Sequence, residues 1–226
     1  MTIQGKKQIP LTDLNRVRRF SDRARYEKSD IYEIIDQCLV AHVGFIDEGR
    51  PIVIPMACAR DGDSLLIHGA RKGRITDVME GRQVCLTLTL VDALVYARSM
   101  FHSSMNYRSA MVFGLAHAIE DSIEVMQALN VLSEHMMPGR WNEVRSPLPK
   151  EVKATQIMRV SIERASAKVR DAGVLDDMDD YTPEQWSSTW AGVVPMAAGF
   201  DQPLVDPATP KSLATPVSVL RRRRHI

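Results

Sequence analysis

The chain has 226 residues, 45% of them hydrophobic and 25% charged, which is enough to bury a core in one large domain or two small ones. Lysine and arginine number 29 against 28 aspartate and glutamate, so no overall field draws nucleic acid or a membrane surface. No apolar run approaches the ~20 residues that span a bilayer. The amino terminus has no apolar signal core, and Cys38, Cys58 and Cys85 lack metal or redox spacing. A cytoplasmic protein in a reducing compartment is the expectation.

Residues 1–27 read as a basic amino-terminal arm with a short helix near 12–19. Asp30, with Glu33 three residues on, predicts an N-cap and a helix to about Gln37. Strands follow at 38–47, 51–60 and 64–70, the last two joined by a tight turn at 61–63. Pro51 and Pro55 cannot donate to a ladder and mark an edge or bulged strand. Ile75, Val78 and Met79 predict a helix that Gly81 stops. Residues 83–98 alternate strictly, with Val84, Leu86, Leu88 and Leu90 on one face, and predict a long strand bent at Asp92. A polar stretch at 99–109 leads into a buried strand at 110–119. Asp121 and Glu124 predict a capped helix to Met136. A short helix at 150–155 and a strand at 156–170 complete a body at 28–170. Residues 171–226 read as an extension packing on that body or on a partner. No βαβ rhythm appears, so the expected fold is mainly β with peripheral helices, an antiparallel barrel.

Two segments carry chemistry. "HGARKGRI", His68 to Ile75, is a strand end, a glycine-flanked loop with Arg71, Lys72 and Arg74, and a helix start. Unpaired N–H groups and cations of that kind suit a phosphate, and a solvated basic turn explains them equally. "FHSSMNYRS", Phe101 to Ser109, places Arg108 at a strand entrance. Its charge must meet an anion or strong acceptors, so the block is either a ligand wall or a polar turn. His42 and His117 each sit alone on an apolar strand and read as wall or core histidines. The acidic run 176–180 reads as surface charge near a dimer partner, with a metal clamp as the alternative, the four-arginine tail reads as a solvated tail rather than a contact to nucleic acid or anionic lipid, and Trp186 and Trp190 read as packing or interface residues.

"LLIHGARKGR" (65–74), the run from Val84 to Gly114, "GRW" (139–141), "KVR" (168–170) and "WAGVVP" (190–195) resemble the flavin-nucleotide-binding branch of the pyridoxamine 5′-phosphate oxidase-like split-barrel family. The resemblance implies a six-stranded antiparallel split barrel, homodimeric, with FMN in a groove between subunits. It implies that Pro55 and Met56 line the flavin ring and that His68 and Gly69 meet the flavin. Gly73 and Arg74 would hold the phosphate, with Lys72 as a further cation. Ser104, Asn106, Tyr107 and Arg108 would lie near the cofactor or the dimer interface, and Trp190 would approach a cofactor. The implied activity is flavin-dependent oxidation or reduction of a small molecule. A flavin carrier or sensor, or a haem-binding relative that uses His68 or His102, is the alternative. The Arg-x-His element of the true oxidase is missing, so pyridoxamine phosphate is not the expected substrate.

Overall fold

The computed structural model describes residues 7–197 and 199–222. In chain order it contains β1 (Ala24–Arg25), α1 (Lys28–Gln37), β2 (Val40–Asp47), β3 (Arg50–Asp61), β4 (Ser64–Ala70), α2 (Arg74–Met79), β5 (Gln83–Tyr96) and β6 (Ser104–Ala118). Then follow α3 (Ser122–Met136), α4 (Pro149–Ala154), β7 (Thr155–Ser161), β8 (Arg164–Arg170), α5 (Pro183–Ser188), β9 (Gly192–Pro195) and α6 (Val217–Arg222).

The strands pair antiparallel in the order β5–β2–β3–β4–β7–β6, and β6 returns to β5. This closes a six-stranded barrel, which removes the free edges that an open sheet would expose. β8 shares one edge of β6 with β7. Tyr107 to Phe113 pair with β8, and Ala116 to Ala118 pair with β7. β1 extends the sheet beyond β8, and β9 pairs with the end of β5.

Alternation builds the core. Val84, Leu86 and Leu88 of β5 point inward with Ala110 and Val112 of β6, Ala41, Val43 and Phe45 of β2, and Met158 and Val160 of β7. Ile31, Ile34 and Ile35 of α1 recur at helical spacing and join the same cluster. A second cluster forms outside the barrel, where Val125, Ala128 and Leu132 of α3 cover Ala59, Leu66 and Ile157.

Several boundaries differ from the sequence reading. α1 begins at Lys28 with Glu27 at the cap position, so Asp30 lies in the first turn as a favourable charge and not as the cap. Residues 12–19 hold no helix, only a turn at 13–15, and Asn15 fixes it by donating to the carbonyls of Pro10 and Ala165. The predicted strand 156–170 is two strands broken at Ile162–Glu163, since each pairs with a different part of β6. The bend at Asp92 is a register shift between Val91 and Ala93. The Asp121 carboxylate accepts from the amides of Ile123 and Glu124 as expected, but Glu124 turns away to Arg159. Pro51 and Pro55 sit in the half of β3 that pairs with β2 alone, which satisfies the edge reading.

Candidate functional site at the open seam of the barrel

β3 and β4 pair from Asp61↔Ser64 to Cys58↔Ile67 and then separate. Beyond that point β4 pairs only with β7, through His68, Gly69 and Ala70. The parted strands leave a seam. Met56 lies along it, and a Cβ on Gly69 would come 3.8 Å from Met56 Cε and 3.4 Å from Thr76 Cγ2. Pro55, beside Met56, is exposed on the outer face. It neighbours His42 of β2, which neighbours Thr87 of β5. His42 is thus an exposed outer-face residue and not a core histidine. Val53 and Ile46 extend this face and are also exposed.

The chain leaves the seam through a tight turn. The Gly73 amide donates to the Ala70 carbonyl at 2.7 Å, and the Arg71 amide donates to the Ala154 carbonyl at 2.8 Å. Any Cβ at Gly73 would sit 2.8 Å from the Ala70 oxygen, so only glycine fits. The Thr76 hydroxyl closes the turn by donating to the Gly73 carbonyl at 3.0 Å. Arg71 reaches Glu120 at 3.4 Å. Lys72 is exposed and has no partner among the described residues. Arg74 opens α2, and its side chain lies outside the described residues. His68 is half-buried without a hydrogen bond among the described residues, and burial pushes its imidazole pKa below the ordinary 6.5.

The polar block divides. Arg108 continues the inward row of Ala110 and Val112 to the barrel mouth. There it grips the Asp92 carboxylate at 2.7 and 3.0 Å and donates to Gln37 at 3.0 Å, beneath α1. Its charge is therefore met within the chain, by a residue that the sequence marked only as a bend. The mouth opens on a groove of about 890 Å³ between α1, β5, α3 and Phe200. Asn106 is buried. Its Oδ1 accepts from Arg170 and from the Ala172 amide, and its Nδ2 donates to the Ala172 carbonyl at 3.0 Å. Ser104 is exposed opposite Val95, and Tyr107 pairs with Val91 and Arg170.

Trp190 lies elsewhere, on the carboxy-terminal segment. Its exposed indole stands 6.0 Å from the Tyr96 ring and over the backbone of Gly192, where a Cβ would come within 2.8 Å. That segment is anchored to the β5–β6 loop. Arg98 pairs with the covered carboxylate of the half-buried Asp176 at 2.7 Å, and His102 stands 2.9 Å from Asp180 and 3.3 Å from Asp177. Asp176 and Asp180 thus act as a clasp, while Asp177 and Asp179 stay exposed. The structure brings Pro55, Met56, His68, Gly69, Lys72 and Gly73 to the seam. It places Arg108 at the barrel mouth, Asn106 in a buried network, and Trp190 on the edge extended by β9.

The family model for pyridoxamine 5′-phosphate oxidase matches residues 27–169. The solved flavocytochrome Anf3 from Azotobacter vinelandii is 35% identical with a TM-score of 0.86, covering 94% of this chain and 97% of that one. The FAD and heme binding protein from Mycobacterium smegmatis is 29% identical with a TM-score of 0.83, covering 89% and 97%. Such coverage takes in most of the segment after β8, so the extension is part of the shared architecture. No curated protein matches the chain. Among the described residues, no helix is long and apolar enough to cross a membrane. With a matched model spanning most of its barrel and a relative similar along nearly its whole length, the chain belongs to the pyridoxamine 5′-phosphate oxidase family.

Proposed function

We propose that the chain binds a flavin nucleotide at the β3–β4 seam and acts as an oxidoreductase on a small molecule. The glycine turn carries this reading. It bends the backbone tightly beside the seam, next to Lys72, which has no partner among the described residues. These residues suit a nucleotide phosphate, because a compact cationic turn supplies charge without crowding. A bound flavin supplies hydride or electron transfer itself. The chain's own part is to hold the phosphate at Lys72, Gly73 and Arg74. Pro55, Met56 and Gly69 give the ring a low, largely apolar bed. The exposed outer face of Val53, Ile46, Pro55 and His42 suits a second copy of the chain, which would enclose the ring between protomers. FMN is the expected nucleotide, and FAD is the competitor because the similar structures include an FAD and heme binding protein.

One observation favours an additional haem. His68 is half-buried, burial favours its neutral form, and its ring has no hydrogen bond among the described residues, which leaves a ring nitrogen open to iron. The absorbance spectrum of the purified protein, followed by titration with FMN and FAD, tests both readings. Flavin bands and tighter binding by the parent than by Lys72→Ala support the proposal. A colourless, monomeric protein that ignores both nucleotides refutes it. A Soret band lost in His68→Ala supports the haem reading.

A further inference from the structure

The residues before α1 form a strap across β8 and the adjoining part of β6, and the strap encloses a groove of about 320 Å³. Its roof carries Arg16, Arg18 and Arg19, and its floor includes Ser109, Met111, Ser166 and Lys168. Arg19, Arg23 and Lys168 converge on the Phe20 ring, at 5.1, 4.3 and 5.5 Å from its centroid. Phe20 holds a left-handed backbone, φ 55°, which a bulky residue adopts only under constraint. Arg170 is 5% exposed close by. Its partners are neutral oxygens of Asn106, Ala172 and Gly173, and the charge of Arg23 adds to burial in lowering its pKa. Among the described residues, Arg18, Arg19, Arg23, Lys168 and Arg170 have no carboxylate at ion-pair distance. Arg16 has only the exposed Asp13, at 3.8 Å.

Like charges gathered around one ring and one groove repel, and among the described residues only the Phe20 ring and the exposed Asp13 offset them. We infer that this groove is a second anion site, separate from the seam, which takes a phosphate-bearing small molecule of mononucleotide size. Three features select that class. Guanidinium forks match phosphate oxygens, the Lys168 ammonium on the floor supplies further donors, and Met111 gives an apolar surface for a flat base. The groove's size and its roof favour a small ligand over a polymer.

Calorimetry on the full-length protein, with adenosine 5′-monophosphate and inorganic pyrophosphate as probes, tests the assignment. Saturable binding is expected, weakened at least tenfold by Arg19→Gln or Lys168→Gln and retained in Lys72→Ala. The last comparison separates this site from the proposed flavin site. Both glutamine variants remove charges with no carboxylate partner, and if one proves unstable the other carries the test. The inference is overturned by an absence of saturable binding, or by binding that only Lys72→Ala weakens. It is overturned equally if a short DNA duplex or anionic vesicles bind through Arg19 while neither small probe does.

Discussion

Replacing Asn106 with alanine separates a structural role from a ligand-facing one. Three hydrogen bonds disappear, from Arg170 to Oδ1, from the Ala172 amide to Oδ1, and from Nδ2 to the Ala172 carbonyl. Arg170 is then left 5% exposed with two long contacts of 3.4 Å to carbonyl oxygens. Ordinary hydrogen bonds contribute ~1 kcal/mol each, and an abandoned buried charge costs more, so the expected loss is about 3–5 kcal/mol. At this chain length each kcal/mol lowers Tm by ~2–4 °C, which puts the fall in the range of roughly 6–20 °C. Urea unfolding followed by circular dichroism measures the loss, with the slope unchanged if the transition stays two-state. A variant destabilised by less than ~1 kcal/mol, yet altered in flavin binding, would refute the assignment of Asn106 to the buried network.

Gly73→Ala should weaken flavin binding about tenfold, or ~1.4 kcal/mol, because its Cβ would stand 2.8 Å from the Ala70 oxygen and open the turn; quenching of flavin fluorescence on titration reads this, and parental affinity would count against the seam site. Burial pushes the Cys58 thiol up to about 12, so it should resist iodoacetamide at pH 8 while the protein is folded. In the unfolded chain the same thiol ionises near 9, so the unfolded state binds fewer protons above that pH; stability should fall as pH rises from 9 toward 12, and Cys58→Ala should flatten that slope. His68 behaves oppositely. Its folded pKa is depressed, so its contribution is present above 6.5 and lost as the unfolded chain takes up a proton below it. His68→Phe should reduce the loss of stability between pH 6.5 and 5, and an imidazole that titrates at or above 6.5 by NMR would contradict its burial.

Much of the architecture was legible because side-chain period alone distinguishes these elements. Val84, Leu86 and Leu88 could face one core only as a strand, and Ile31, Ile34 and Ile35 only as a helix. The tight turn at Gly73 was legible as a turn, since glycine between a strand and a helix marks a break in the backbone. The break at Ile162–Glu163 was not, because β7 and β8 both alternate and only their competition for one edge of β6 divides them. The clasp between His102 and Asp180 joins residues 78 positions apart, a separation that no local pattern can encode.

The polar block shows where sequence stops. Composition established that Arg108 would need countercharge, because a guanidinium does not shed its proton and burial without an acceptor is costly. Whether Asp92 or a ligand would supply it depended on the register shift in β5, which brings Asp92 within 2.7 Å of that guanidinium. The amino acids by themselves determined which groups must be satisfied. Barrel closure, a non-local event, decided who satisfies them, and left Lys72 and the arginines around Phe20 without a carboxylate partner among the described residues.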